Sequence, residues 1–124
     1  MYSFSRRSEE RLATCHPDLQ KVLHTAIRIM DFTVLQGHRG KEEQNEMVRR
    51  GVSQLRYPHS NHNTSPSHAV DIAPWPIDWE DTERFAELAG VVKACAHFHG
   101  VKLGWGGDWK SFKDMPHFEL KGDA

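Results

Sequence analysis

From Pro17 onward, apolar residues fall at Leu19, Val22, Leu23, Ala26, Ile27 and Met30, a spacing that lays one stripe along a helix. Pro17 suits the first helical position, where its missing N–H is no loss. Before it, Ser8 followed by Glu9 and Glu10 predicts a shorter helix start, with acidic residues at the positive end of the dipole. The period then changes. Residues 32–36, Phe-Thr-Val-Leu-Gln, are aromatic and β-branched and predict a short strand. Gly37, His38, Arg39 and Gly40 read as a turn, a helix follows over 41–50, and Gly51 stands where a C-terminal cap belongs.

Between 52 and 66 the periodicity gives way to Ser, Asn, His and Pro, which predicts a long loop of the kind that often carries function. Residues 69–73, Ala-Val-Asp-Ile-Ala, are bounded by Pro66 and Pro74 and predict a buried strand presenting Asp71. Another helix is expected over 80–99, with Asp78 as its cap and Gly100 as its end. Its apolar stripe is Trp79, Phe85, Leu88, Ala89, Val92 and Ala96. Residues 101–105 read as a strand, 106–109 as a tight turn and 117–120 as a last strand. The order α, β, α, loop, β, α, β, β predicts an α+β fold, with helices flanking a small, mostly antiparallel sheet. There is no repeat or linker, so 1–124 is expected to form a single domain.

Composition narrows the function. With 38% hydrophobic residues in 124, the chain can bury one modest core. A net charge of −1 provides no field to attract nucleic acid or an anionic membrane, and no apolar run is long enough to insert into a bilayer. Cys15 and Cys95 lie far apart with no CxxC partner, which excludes a zinc knuckle or a redox pair and predicts two packed free thiols. The N-terminal residues lack the apolar core of a secretory leader, so the expectation is a protein made in the cytoplasm and released by something else.

The chemistry starts at Asp71. A carboxylate in an apolar run costs several kcal/mol to bury unless it is paired with a cation or binds a metal. A salt bridge to Arg or Lys is the plain alternative. His62 lies nine residues earlier across the loop, and His117 begins a predicted strand, so two imidazoles and a carboxylate are available for a metal with one open position. His59 and His68 compete with His62, since the loop can present any of the three. His97 and His99, at i and i+2 of a helix, do not share a face. Asp114 precedes His117 by three residues, where it can face a metal-bound water as a base. Arg39, in its Gly-flanked turn, can grip a carboxylate or steady an oxyanion. Trp105, Asp108 and Trp109 either line the site or pack, with packing favoured for the two Trp residues.

Taken together, Ser60-x-His62, Pro-Ser-His-Ala-Val-Asp71-Ile-Ala-Pro, Gly104-Trp-Gly-Gly-Asp-Trp109 and Asp114-x-x-His117-Phe-Glu-Leu resemble a known family. It is that of the D-alanyl-D-alanine carboxypeptidases and L-alanyl-D-glutamate endopeptidases, zinc peptidases of bacterial cell-wall peptides, and the likeness is greatest to its phage endolysin branch. Gln36-Gly-x-Arg39 fits as well, and the similarity runs over about residues 8 to 121. The resemblance implies a hedgehog-like fold with Zn2+ on the sheet, held by His62, Asp71 and His117. It also implies Asp114 as catalytic acid/base and Arg39 as the residue that steadies substrate or transition state. Two departures stand out: a nine-residue step from His62 to Asp71 where many members have seven, and Asp at 114 where many have Glu.

The implied reaction is hydrolysis of the L-alanyl–D-glutamate bond in the peptidoglycan stem peptide. The implied setting is phage lysis by a monomer made in the host cytoplasm, released through a holin and acting on the periplasmic wall. Two alternatives remain open: a D,D-carboxypeptidase or dipeptidase trimming terminal D-alanine, and a non-catalytic zinc-bearing binding module, with the retained Asp114 speaking against the latter.

Overall fold

The stripe that opens the chain's main helical pattern faces inward as expected. In the structure, a computed structural model describing residues 2–111 and 113–122, α2 (Pro17–Ala26) buries Leu19, Val22, Leu23 and Ala26, with Pro17 at its first position. Residues 1, 112 and 123–124 of the expected 1–124 domain lie outside the described residues. Helix α1 (Arg6–Leu12) begins two residues before the expected start. The Ser5 hydroxyl caps it by accepting from the Ser8 amide at 3.1 Å. Ser8 is buried instead of capping. Its hydroxyl accepts from the Val34 amide at 3.0 Å, which pins α1 to the first strand.

That strand, β1 (Phe32–Gln36), is followed by α3 (Lys41–Arg49), β2 (Ala69–Pro74), α4 (Thr82–Phe98), β3 (Leu103–Trp105) and β4 (His117–Leu120). Single 3-10 turns, Asn61–Asn63 and Gly106–Asp108, punctuate the two long loops. The expected stripe of α4 is correct from Phe85 on, but its cap is Asp81, whose carboxylate accepts from the Arg84 amide. Asp78 turns the chain earlier, accepting from the Glu80 amide at 3.0 Å. Trp79 therefore lies outside the helix and stays mostly exposed, contrary to its expected place in the core.

The sheet has the order β1-β2-β4-β3, and each neighbouring pair is antiparallel. Side chains alternate across a strand, so Val70 and Ile72 face the helices while Asp71 between them faces the other way. Phe118 likewise joins Val34, Leu23, Leu88 and Val92 in the core, leaving His117 on the face of Asp71. The β2–β4 register sets Asp71 directly opposite His117. Cys15 and Cys95 are both buried free thiols, as expected, and burial pushes the Cys15 thiol up to about 11. Among the described residues, no helix is long and apolar enough to cross a membrane.

Candidate metal centre

Three elements converge on the open face of the sheet. Strand β2 supplies Asp71, β4 supplies His117, and the 3-10 turn at the end of the long loop supplies His62. A capping box holds that turn: the Ser60 hydroxyl accepts from the His62 amide at 3.1 Å, and the Asn63 side chain accepts from the Ser60 amide at 3.0 Å. His68 and His59 are not part of the cluster. His68 packs edge-on against His16 at 5.4 Å, and His59 is exposed.

The three facing atoms form a nearly equilateral triangle. His62 Nε2 is 3.2 Å from Asp71 Oδ1 and 3.3 Å from His117 Nδ1, and His117 Nδ1 is 3.3 Å from Asp71 Oδ1. The far side of each ring is committed. His62 Nδ1 lies 2.7 Å from the Gly37 carbonyl, which can only accept, so this nitrogen carries the proton and Nε2 presents a lone pair. His117 Nε2 lies 2.7 Å from the Glu119 carboxylate, which likewise leaves Nδ1 as the inward lone pair. Three electron-rich atoms this close repel one another unless positive charge sits among them.

The donor set fits zinc. Ligand bonds of about 2.0–2.1 Å in a tetrahedron place neighbouring ligands about 3.3 Å apart, the spacing found here. Protons are the other source of positive charge. Burial alone would push the Asp71 carboxyl up, but hydrogen bonds from His117 and His62 outweigh it and hold the group well below the usual carboxylate range. Burial alone would lower His117, yet its bonds to Asp71 and Glu119 raise it to about 9.

Asp114 and Arg39 flank the triangle. The Asp114 carboxylate lies 4.0 Å from His117 Nδ1 and is about one-third exposed, close to the triangle without belonging to it. Burial and the charge on Asp71 push its carboxyl above the usual range. Its place depends on Gly106, where a β-carbon would collide with the Asp114 carbonyl oxygen. The Asp114 amide in turn donates to the Gly106 carbonyl at 3.1 Å. Arg39 is buried. Its Nη2 lies 3.4 Å from Asp71 Oδ2, its Nε donates to Gln36 at 2.9 Å and its Nη1 to Gln44 at 2.8 Å.

Gln44 was invisible to sequence reasoning, because a Gln in a polar helix reads as solvated. It is fully buried. Its amide donates to Ser53 Oγ at 3.0 Å and to the Leu55 carbonyl, and its oxygen accepts from Arg39 and Asn63. It thereby ties α3 to the long loop and to the residues beside the triangle. Glu119 was also missed, although its place two residues after His117 on a strand sets both side chains on one face.

These groups open into a cavity of about 950 Å³. Apolar lining comes from Met47, Val52 and Leu55 of α3 and the loop after it, and aromatic lining from Trp79 and Trp109. Trp109 packs at 5.1 Å against the His117 ring and so reaches the site. Trp105 packs as expected, stacked on Phe118, with its indole N–H donating to the Met115 carbonyl at 2.7 Å. Asp108 does not line this cavity and is paired with Lys93.

Known proteins share this arrangement of chain. The L-alanyl-D-glutamate peptidase of Escherichia phage T5 is 36% identical over 97% of this chain and 90% of its own length. The peptidoglycan L-alanyl-D-glutamate endopeptidase CwlK of Bacillus subtilis (strain 168) is 27% identical over 73% of this chain and 61% of its own length. The crystal structure of the Serratia marcescens L-Ala D-Glu endopeptidase ChiX superposes with a TM-score of 0.84, at 39% identity, over 97% of this chain and 91% of that one. The model of one family, phage L-alanyl-D-glutamate peptidase, matches residues 1–121. With that match over nearly its whole length, the chain belongs to the phage L-alanyl-D-glutamate peptidase family.

Proposed function

We propose that this chain is a zinc-dependent endopeptidase that hydrolyses the L-alanyl–D-glutamate bond of peptidoglycan stem peptides; the names of its relatives state L-alanyl-D-glutamate peptidase or endopeptidase activity for them. The observation that carries the zinc reading is the triangle of His62, Asp71 and His117 atoms at 3.2–3.3 Å, with lone pairs turned inward. Bound there, zinc supplies a Lewis acid for the scissile carbonyl and acidifies the attacking water.

The remaining work falls to the chain's own groups. The Asp114 carboxylate takes a proton from the water as its oxygen bonds to the L-alanyl carbonyl carbon. It then gives that proton to the amine nitrogen of D-glutamate as the C–N bond breaks. Arg39 holds the outer oxygen of Asp71 and adds positive charge beside the carbonyl oxygen, where negative charge develops. Glu119 and the Gly37 carbonyl keep both imidazoles in the tautomers that face inward.

The setting that suits this activity is phage lysis, with the enzyme made in the host cytoplasm and reaching the wall once a holin opens the membrane. Mass spectrometry of purified peptidoglycan digested by the protein tests the reaction. Stem peptides should appear with a free D-glutamate amine, a chelator should stop their release, and added zinc should restore it. Release of free D-alanine alone would assign the site to carboxypeptidase chemistry instead.

A further inference from the structure

The cavity beside the triangle is larger than an alanine–glutamate pair needs, and one of its walls is an indole left in water. Trp79 is 58% exposed, against 9% for Trp105 in the core. Its ring stacks on Phe85, with centroids 5.6 Å apart and planes 20° apart. A leucine would cover Phe85 while leaving less apolar surface in water, so core packing does not account for an indole here. The segment that carries it is fixed. Arg84 donates through Nη2 to the Trp75 carbonyl at 3.0 Å and through Nη1 to that of Pro76 at 3.2 Å, and Asp78 closes the turn. The free face of the indole is thus presented in one orientation, as a flat platform at the cavity wall.

The surroundings select its occupant. Asp78, Glu80 and Asp81 flank Trp79 in sequence against the single cation Arg84, so the segment is net negative and disfavours anionic groups. The stem peptide beyond the scissile bond bears the D-glutamate carboxylate and others. On the cavity lining, the cations are Arg39 and Lys110. The other side of the bond is different: L-alanine is joined through a lactyl ether to a pyranose of the glycan strand. A pyranose is neutral and rich in hydroxyl donors suited to carboxylates, and its axial C–H groups match the negative face of an indole.

We propose that Trp79 is the stacking platform for the glycan sugar on the alanine side of the scissile bond, so that the site reads sugar-bearing stem peptide in preference to free peptide. This rests on the endopeptidase reading, whose failure can be seen separately.

The test compares kcat/KM on two substrates with the same stem, one carrying the disaccharide and the other an acetyl group on L-alanine. The wild type should prefer the sugar-bearing substrate, and Trp79→Ala should reduce that preference about three- to tenfold, with Trp79→Phe restoring much of it. No preference in the wild type, or an equal loss on both substrates, overturns the platform. Cleavage of neither at the L-alanyl–D-glutamate bond defeats the endopeptidase reading instead. In that case the indole N–H resonances decide the platform. Titration with the muramoyl disaccharide should shift the Trp79 signal, identified by its loss in Trp79→Phe, and an unmoved Trp79 signal overturns it.

Discussion

His62 Nε2 and His117 Nδ1 face each other at 3.3 Å, and each ring's other nitrogen is already donating, to Gly37 and to Glu119. Without a metal, the bonds to Asp71 and Glu119 outweigh burial and hold a proton on His117, whose value stands at about 9 against an ordinary 6.5. A metal must displace this proton. Apparent zinc affinity should therefore rise by about tenfold per pH unit from pH 6.5 towards 9 and flatten above it. Competition with a chelating dye measures this, and an affinity that is flat across the interval would contradict the assignment.

The same proton governs the metal-free fold. A raised His117 contributes stability in full below 6.5 and loses it as pH rises through about 9. A depressed Asp71 contributes above 3.8 and loses it as pH falls through its lowered folded value. Metal-free protein should accordingly lose Tm between pH 6.5 and 9.5, and the Tm increase caused by zinc should grow over the same range. Scanning calorimetry with and without zinc reads both.

Asp114 stands beside the triangle without joining it. Asp114→Asn keeps the shape and removes the base, so it should bind one zinc normally while turnover falls at least ~100-fold. Because burial raises the Asp114 carboxyl, wild-type activity should be lost as pH falls through a value above the ordinary 3.8. Full turnover by the variant would remove Asp114 from the proton-transfer role.

Gly106 offers a way to move that carboxylate without changing it. A methyl group at 106 collides with the Asp114 carbonyl oxygen, so Gly106→Ala must push the 106–114 loop outward. A displacement of about 1 Å can cost ~100-fold in rate. Turnover should fall on that scale while zinc affinity stays within a few fold, because none of His62, Asp71 and His117 lies in the displaced loop. Equal losses of both would mean that the loop also shapes the metal site.

Much of this was legible in the chain because it rests on local rules. The period of α2, the apolar run around Asp71 and the alternation of residues 117–120 each report which face is buried. The choice of His62 over His59 and His68 was not legible from spacing, since it depends on a capping box and on a carbonyl from Gly37, distant in sequence. Trp79 was misread because the helical period was extended through a turn that Asp78 and Asp81 close by capping. Gln44 gave no signal at all. A buried amide is recognisable only from partners in three other segments.

Glu119 orients His117 from outside the triangle. Its carboxyl is held below the usual range, chiefly by the hydrogen bond from His117, so it is charged at neutral pH and favours a proton on Nε2. Glu119→Gln keeps the size but loses that charge, and its amide can turn a donor towards Nε2. Nδ1 would then carry the proton part of the time and be lost as a ligand. Partners of this kind are worth about 10–100-fold in metal affinity, so zinc should bind weaker by that factor. Chelator competition on the variant measures it, and catalytic rate at saturating zinc should recover most of the loss. If affinity is unchanged, the imidazole is being oriented by its strand alone, and the bond to Glu119 serves only to satisfy a buried donor.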